Sequence, residues 1–311
     1  MKQRVITAIF LNVIVALAFV LRQFVSTYIF DALLCLVIIV SANEVSRVFN
    51  RSGRLNNSTL ITIYPVLSYV IFFFCMTYHT KIWFILVMNL LLIAFLTIRE
   101  AIIVMLAQKS LLAEYEKTKV TKTFQKFCVN KVFLTGFIML YPSFLLSSMF
   151  FLNHFGSFGY LGASNFGSVD FSLFALLLAI MTTVATDTFA YIVGSIIKGP
   201  KLCPLISPNK TISGAIGGVF GGVIFAFIVY VSFVACGMLE ASLPAWIIVI
   251  YALLGSVLSE LGDIFASIIK RKARTKDYSS IFPGHGGFMD RLDGLSFNVL
   301  FTLLFFVLFI F

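Results

Sequence analysis

Long apolar segments constrain this chain more than any other feature of its sequence. A helix needs about 20 apolar residues to cross the hydrocarbon core of a bilayer. With 60% hydrophobic residues, 12% charged residues and a mean hydropathy of +1.03, the composition lies outside the range of soluble proteins. The sequence therefore predicts an all-α integral membrane protein with about nine transmembrane helices. The predicted spans are 5–21, 24–42, 59–78, 81–98, 132–152, 171–193, 212–238, 244–262 and 295–311.

The distribution of basic residues predicts how these spans are oriented. Lysine and arginine concentrate in the cytoplasmic connections of membrane proteins. If the N-terminus is cytoplasmic and nine spans alternate, all 23 Lys and Arg residues except Arg22 and Lys81 fall on the cytoplasmic side. Topology and an anionic cytoplasmic leaflet then explain the net charge of +10, and no nucleic acid is required as a partner.

The long connection 99–131 divides the chain into two predicted domains. Residues 1–131 form an N-terminal transmembrane scaffold that includes a helix lying on the membrane surface, and residues 132–311 form a C-terminal catalytic transmembrane domain. A plain helical linker is an equally good interpretation of the connection. Within the first half, Asp31 is expected in a wet position near the outer end of its span.

Several residue patterns predict packing or solvation rather than chemistry. The five cysteines are scattered without a CxxC pair, so neither a zinc site nor a disulfide framework is predicted. His79 and His154 lie in short outer connections and are expected to be solvated. Span seven carries Gly214, Gly218 and Gly222 at intervals of four residues, a pattern typical of close helix packing.

The longest charged segment of the sequence, 267–293, surrounds a glycine-rich turn. Carboxylates can ligate Mg²⁺ and cations can neutralise phosphate oxygens, while glycines let backbone N–H groups approach a ligand closely. The segment therefore indicates a site for a polyanion held through metal ions. The alternative is a solvated juxtamembrane loop whose cations only set topology or contact anionic lipid. The charged residues are Lys270, Arg271, Lys272, Arg274, Lys276, Asp277, Asp290, Arg291 and Asp293.

Three further acidic residues lie inside or at the end of predicted spans, where a carboxylate is costly. Asp187 lies toward the cytoplasmic end of span six, and Glu260 and Asp263 lie at the cytoplasmic end of span eight. Such residues are candidates for a functional site by default. All three fall on the side predicted for Asp290 and Asp293, so the sequence predicts a metal site at the cytoplasmic interface. The alternative for Asp187 and Glu260 is a buried polar contact between helices.

The connection between spans six and seven, KGPKLCPLISPNKTISGAIGG, opens directly into a helix. A helix N-terminus offers free N–H groups and the positive end of its dipole to an anion. Helix capping combined with topology-setting charge is the alternative interpretation. On the first interpretation, the residues predicted to contact phosphate are Ser207, Asn209, Lys210 and Thr211.

The order of residues in 267–293 resembles the signature of the phosphatidate cytidylyltransferases, the CDP-diacylglycerol synthases. The match has no gap, and the resemblance extends upstream to Asp187. Ser213 stands where the family usually has Glu, and Lys198-Gly199 inverts the usual Gly-Lys. The matching residues are Ser267, Ile269, Lys270, Arg271, Lys276, Asp277, Ser279, Phe282, Pro283, His285, Gly286, Gly287, Asp290, Arg291 and Asp293.

The resemblance implies transfer of a cytidylyl group from CTP to phosphatidic acid in the cytoplasmic leaflet, giving CDP-diacylglycerol and pyrophosphate. It also implies one or two Mg²⁺ ions, or Mg²⁺ with a second monovalent or divalent ion, held by Asp263, Asp290 and Asp293. The remaining catalytic residues that it implies are Lys270, Arg271, Lys276, Asp277, His285 and Arg291. The substrate-binding residues that it implies are Asp187, Ser207, Asn209, Lys210, Thr211, Gly286 and Gly287.

The resemblance further implies a location in the bacterial inner membrane, a site facing the cytoplasm, and a homodimer. Two other functions are kept as alternatives. A CTP-dependent kinase of polyprenol or a similar lipid alcohol would need a general base near the hydroxyl group. An ion-coupled transporter would use Asp187 and Glu260 as ion sites, but the internal repeat typical of transporters is not evident.

Overall fold

The computed structural model describes residues 2–78, 80–114, 120–155, 171–238, 243–284 and 286–309, and this part of the chain is almost entirely helical. His79 and His285 lie outside the described residues. Its helices are α1 (Lys2–Phe24), α2 (Thr27–Arg51), α3 (Ser58–Thr77), α4 (Ile82–Glu114), α5 (Val120–Ile138), α6 (Leu145–Asn153), α7 (Phe171–Ile197), α8 (Ile212–Ala235), α9 (Ala245–Lys272) and α10 (Met289–Phe309). Its strands are β1 (Lys201–Cys203) and β2 (Ser207–Thr211).

Eight of the nine predicted spans are confirmed as helices long and apolar enough to cross a membrane, counted within the described residues. One of them, Phe127–Asn153, runs through α5, a short π-helical segment and α6. The remaining predicted span falls on α1, where the described apolar portion, Val13–Phe24, is shorter than a full crossing. The chain is therefore an integral membrane protein built from α-helices, and its orientation stays a prediction.

The connection 99–131 joins two long helices. Its first part is the end of α4, which continues to Glu114 because the sequence from 82 to 114 contains no Gly or Pro to interrupt the backbone hydrogen bonds. Its last part is the beginning of α5. The side chains from 108 to 126 are not among those described, so the placement of this stretch on the membrane surface and the domain boundary at 131 stay predictions.

A proline interrupts the fourth confirmed span, Phe127–Asn153, near the site described below. Pro142 has no N–H to donate, and the six residues Met139–Phe144 form a π-helical segment in which Tyr141 is not helical. The ring of Tyr141 consequently packs edge-on against Phe265 of α9, with ring centroids 4.9 Å apart. The break therefore contributes an aromatic contact between this span and α9.

The glycine pattern of span seven packs α8 against α7 and α9, as predicted. A Cβ added at Gly214 would lie 2.8 Å from the backbone oxygen of Ala190 in α7. A Cβ at Gly218 would lie 2.9 Å from the backbone oxygen of Thr186, and one at Gly222 would overlap a side chain of α9. The absence of side chains on this face allows α7 and α8 to form the most extensive helix contact of the described fold.

The second half of the chain forms a bundle in which α9 packs on α8 and α10, and α10 also contacts α7. Helices α2 and α3 of the first predicted domain pack on α6 and the π-helical segment, and α2 also contacts α10. One apolar interior runs through both halves, from Phe30 in α2 to Phe306 in α10. The two predicted domains are therefore in direct contact.

Asp31 and His154 are buried, so the expectation that both are solvated is wrong. His154 Nε2 lies 2.7 Å from Asp31 Oδ2, and Tyr69 donates to the same oxygen at 3.1 Å. Asn153 donates to Asp31 Oδ1 at 2.7 Å and accepts from the Arg22 guanidinium at 2.6 Å. Burial of these groups is tolerated because each has a partner, and the partners come from helices distant in sequence.

Candidate active site

The candidate site lies at the end of the bundle where α9 ends and α10 begins, which we call the signature end. Helix α9 continues ten residues past the predicted end of its span, to Lys272. Asp263 and Lys270 are seven residues, or about two helical turns, apart and therefore lie on the same face of α9. The first part of the signature is thus helical, and Lys270 projects from it toward α10.

Helix α10 contributes two carboxylates from its first turns. Asp290 and Asp293 are three residues apart, so they share a helix face. Lys270 Nζ lies 2.8 Å from Asp290 Oδ1 and 4.0 Å from Asp293 Oδ2. A cation from α9 therefore stands between the two carboxylates, both of which are buried.

Asp290 also closes the connection from α9 to α10, residues 273–288, which we call the signature loop. Its Oδ2 accepts hydrogen bonds from the backbone N–H of Tyr278 at 2.8 Å and from that of Gly287 at 2.9 Å. Gly286 has φ of +76°, and a Cβ there would lie 2.6 Å from Asp290 Oδ2. The two glycines of the signature therefore allow the loop backbone to close on Asp290.

Tyr278 forms the floor of the signature loop. Its hydroxyl donates to the backbone oxygen of Ala266 at 3.2 Å, and its ring lies under Lys270 Nζ, 5.3 Å from the centroid. Burial, reinforced by the negative charges of Asp293 and Asp290, raises the pKa of the Tyr278 phenol well above its ordinary value. The phenol is therefore neutral across the physiological range and serves as a hydrogen-bond donor.

The β1–β2 hairpin between α7 and α8 brings a second lysine to the site. Lys210 of β2 lies with its Nζ 2.6 Å from Asp263 Oδ2, and both side chains stay partly exposed. Arg271 of α9 donates to the backbone oxygen of Ile206 at the hairpin tip, at 3.1 Å. The hairpin is therefore attached to α9 at two points, one of them at a predicted metal ligand.

Thr211 caps the N-terminus of α8. Its Oγ1 accepts from the backbone N–H of Gly214 at 3.1 Å, which is the capping alternative raised for this connection. Ser213, which departs from the family pattern, donates to the backbone oxygen of Lys198. Lys198 and Gly199 both have positive φ, of 58° and 104°, so the inverted pair forms the tight turn leaving α7.

Two carboxylates inside the membrane spans join the same electrostatic group. Asp187 of α7 interacts with Asp263, Lys210 and Arg291, and Glu260 of α9 interacts with Lys210, Asp187 and Asp263. A Cβ at Gly218 would lie 2.6 Å from Glu260 Oε1, so Glu260 occupies space left by the glycine face of α8. The acidic residues predicted from α7, α9 and α10 therefore converge at one end of the bundle.

Several predicted site residues lie apart from this group of carboxylates and lysines in the described structure. Lys276 and Asp277 are exposed on the signature loop, and Asn209 is exposed on β2. Ser207 pairs with Cys203 across the hairpin. Their roles toward a ligand, like that of His285, stay predictions.

No sequence pattern singles out Glu44 of α2, which the structure places against the signature loop. Its side chain is buried and accepts from Ser279 Oγ at 2.6 Å and from the backbone N–H of Met289 at 2.8 Å. The available signal was a single acidic residue directly after an apolar span, in a half of the chain interpreted as scaffold.

The carboxylates of the site are paired with lysines rather than assembled around one point. Within the described ranges, no three Asp, Glu, His or Cys side chains stand together at metal-ligating distance. The donors nevertheless have the chemistry that Mg²⁺ prefers, because Asp263, Asp290 and Asp293 supply only oxygen atoms. Lysine ammonium groups already pair with Asp263 and Asp290, so these carboxylates hold cations in this structure. The residues present therefore fit the predicted ion.

The fold and the site together define a helical membrane protein with a charged site at one end of its spans. The chain belongs to the cytidylyltransferase family, whose sequence model matches residues 2–309. A stretch of 133 residues is 41% identical to the phosphatidate cytidylyltransferase of Brucella abortus, covering 42% of this chain and 45% of that protein. A stretch of 124 residues is 40% identical to the phosphatidate cytidylyltransferase of Staphylococcus aureus, covering 39% and 45%. The chain thus matches less than half the length of these relatives.

Proposed function

We propose that this protein transfers the cytidylyl group of CTP to phosphatidic acid, giving CDP-diacylglycerol and pyrophosphate. The observation that carries the proposal is the convergence of carboxylates and cations at the signature end, at the end of membrane-spanning helices. Two polyanions that repel one another can react only where their charge is neutralised and their reacting atoms are aligned. The names of the relatives support the same reaction.

The chemistry requires no strong general base in the protein. A phosphate oxygen of phosphatidic acid would attack the α-phosphorus of CTP, forming a new P–O bond as the bond to the β-phosphate oxygen breaks. The nucleophile is already ionised at neutral pH, and the leaving group departs as pyrophosphate. The residues of the chain therefore have to bind, neutralise and align the two substrates.

Asp263, Asp290 and Asp293 are the residues that would hold Mg²⁺, with a second monovalent or divalent ion as an option. A bound Mg²⁺ would supply charge neutralisation for the phosphates of both substrates. Because Asp290 already accepts from Lys270, Tyr278 and Gly287, it also keeps the signature loop closed. Asp263 is the most exposed of the three, whereas Asp290 and Asp293 are both buried.

The cations would hold the phosphate groups that the metal does not reach. Lys210 and Lys270 enter the site from two sides, and each is within ion-pair distance of a carboxylate that a substrate-bound metal would share. The backbone near Gly286 and Gly287, together with His285, would shape the nucleotide pocket. The remaining polar groups assigned to substrates or catalysis are Asp187, Ser207, Asn209, Thr211, Arg271, Lys276, Asp277 and Arg291.

The lipid substrate would reach the site from the membrane. Its acyl chains would stay between the spans while its phosphate lies at the signature end, which we place on the cytoplasmic side of the bacterial inner membrane, where CTP is available. We also propose a homodimer, because the family resemblance implies one.

The test compares CTP labelled at the α-phosphate with CTP labelled at the γ-phosphate, in detergent with phosphatidic acid and Mg²⁺. Label from the α-position should enter the lipid, and label from the γ-position should leave as pyrophosphate. Transfer of γ-label to a lipid alcohol would instead identify the kinase alternative. Absence of both products would leave the transporter alternative and reject cytidylyl transfer.

A further inference from the structure

We propose that Glu44 is a positioning residue for the reaction, acting through the signature loop that it holds from α2. The predicted effect on kcat rests on the proposed function. The structural part rests on the contacts that Glu44 of α2 makes with the signature loop. Glu44 is not part of the signature, and it lies 235 positions away from Ser279 of the loop in sequence.

Glu44 uses both carboxylate oxygens on the loop and on the beginning of α10. Oε1 accepts from Ser279 Oγ at 2.6 Å and from the backbone N–H of Phe288 at 3.1 Å. Oε2 accepts from the backbone N–H of Met289 at 2.8 Å. A carboxylate at the first N–H groups of a helix also interacts favourably with the helix dipole, so Glu44 fixes where α10 begins.

Among the described residues, the hydrogen-bond donors to the Glu44 carboxylate all come from the signature loop and the start of α10. The side chain is 1% exposed, and no lysine or arginine of the described ranges lies within ion-pair distance of it. A buried carboxylate is costly unless hydrogen bonds compensate it, and here all three donors belong to the segment 279–289. The loop and the carboxylate therefore depend on each other.

Gly287 connects Glu44 to the candidate active site. Its N–H donates to Asp290 Oδ2 at 2.9 Å, and a Cβ at the same residue would overlap the Glu44 carboxylate. The loop backbone thus passes between two carboxylates, one from α2 and one from α10. Displacement of Glu44 would release the loop on one side and change the position of Asp290, which contacts Lys270 directly. A displacement of about 1 Å at a reacting group can cost about 100-fold in rate.

The first experiment compares Glu44→Gln with wild type and with Glu100→Gln. Glu100 is a matched control, because it is also a buried carboxylate of the first half but binds Lys131 and Asn57 instead of the loop. With saturating CTP and phosphatidic acid, kcat of Glu44→Gln should fall at least about 10-fold, while Glu100→Gln stays within about 2-fold of wild type. An equal fall in both variants, or none in Glu44→Gln, would overturn the positioning role.

The second experiment measures the loop without reference to activity. Limited trypsin cleavage after Arg274, an exposed residue of the signature loop, requires the loop to open locally. Cleavage there should be at least about 5-fold faster in Glu44→Gln and unchanged in Glu100→Gln. Ser279→Ala removes one of the three contacts and should give a smaller increase, and adding it to Glu44→Gln should have little further effect. Equal cleavage rates in wild type and Glu44→Gln would overturn the proposal.

The two experiments separate failure of the inference from failure of the proposed function. If wild type transfers no cytidylyl group, the proposed function fails, and the cleavage rates still decide whether Glu44 holds the loop. If wild type is active and Glu44→Gln opens the loop but keeps full kcat, Glu44 is only a structural contact.

Discussion

The residues at the signature end are packed closely around its carboxylates. Gly286 and Gly287 bring the loop backbone against Asp290 and Glu44, and neither position has room for a Cβ. Lys270 and Lys210 each lie less than 3 Å from a carboxylate oxygen. A charged group in such surroundings is stabilised by its partner and unfavourable without it, so single substitutions here should have large effects.

At the residue scale, Asp263→Asn tests the proposed metal site. The amide keeps the size of the side chain but loses the charge that would attract Mg²⁺. Activity should fall at least about 100-fold, equivalent to about 2.7 kcal/mol, and higher Mg²⁺ should recover part of it. The measurement is kcat as a function of Mg²⁺ concentration, with Glu100→Gln as the folding control. Near-normal turnover at low Mg²⁺ would remove Asp263 from the ligand set.

Also at the residue scale, Gly286→Ala and Gly53→Ala form a matched pair. Both glycines have φ of +76°, but a Cβ at Gly53 would meet nothing within 4 Å, whereas one at Gly286 would meet Asp290. Both variants should lose about 1–2 kcal/mol of stability from the backbone conformation. Only Gly286→Ala should also lose activity, by at least about 10-fold. Thermal unfolding in detergent and kcat are the readouts, and equal activities in the two variants would contradict the contact with Asp290.

Among the elements, α9 and α10 carry most of the site, and α8 supports them. The continuation of α9 to Lys272 turns the first part of the signature into a helical face. The glycine face of α8 lets α7 and α9 approach closely enough to bring Asp187 near Asp263. The position of the carboxylates therefore depends on a helix that contributes no acidic residue itself.

At the element scale, Gly218→Ala should disturb both packing and chemistry. Its Cβ would lie 2.6 Å from Glu260 Oε1 and 2.9 Å from the backbone oxygen of Thr186, so α8 would have to move. Overpacking of this kind costs about 1–3 kcal/mol. Phe220→Ala, on the exposed face of the same helix, is the control and should have a much smaller effect. A Gly218→Ala protein with wild-type thermal stability would show that the contact is not tight.

For the whole molecule, the two halves of the chain meet at both ends of the spans. At the signature end, Glu44 of α2 binds the loop and α10. At the opposite end, Arg22 and Asp31 bind Asn153, the last residue of the fourth confirmed span, and Asp31 also binds His154. Each of these polar groups therefore meets partners that the predicted alternating topology puts on the same side of the membrane.

At the scale of the whole molecule, labelling of Ser280→Cys tests the orientation. Ser280 is exposed on the signature loop, and the variant would be made in a protein lacking the five native cysteines. An impermeant thiol reagent should label it in inside-out vesicles and not in right-side-out vesicles, because the positive charge places this loop in the cytoplasm. The reverse pattern would refute the predicted topology.

The sequence by itself determined the helical membrane architecture and many of the charged residues that converge at the signature end. The apolar windows match helices because a span must satisfy a length and hydrophobicity requirement that is local in sequence. The signature residues from Lys270 to Asp293 are also local in sequence, because they lie in two successive helices and the connection between them.

Only the tertiary structure decided which residues meet across the bundle. Glu44 and the signature loop are 235 positions apart at Ser279, and Asp31 and His154 are 123 apart, so no periodicity or motif links them. It also decided that Asp290 closes the loop in addition to its expected role at the metal site. A buried charge must find a partner, but the sequence does not say which one, because that choice depends on how helices distant in sequence pack together.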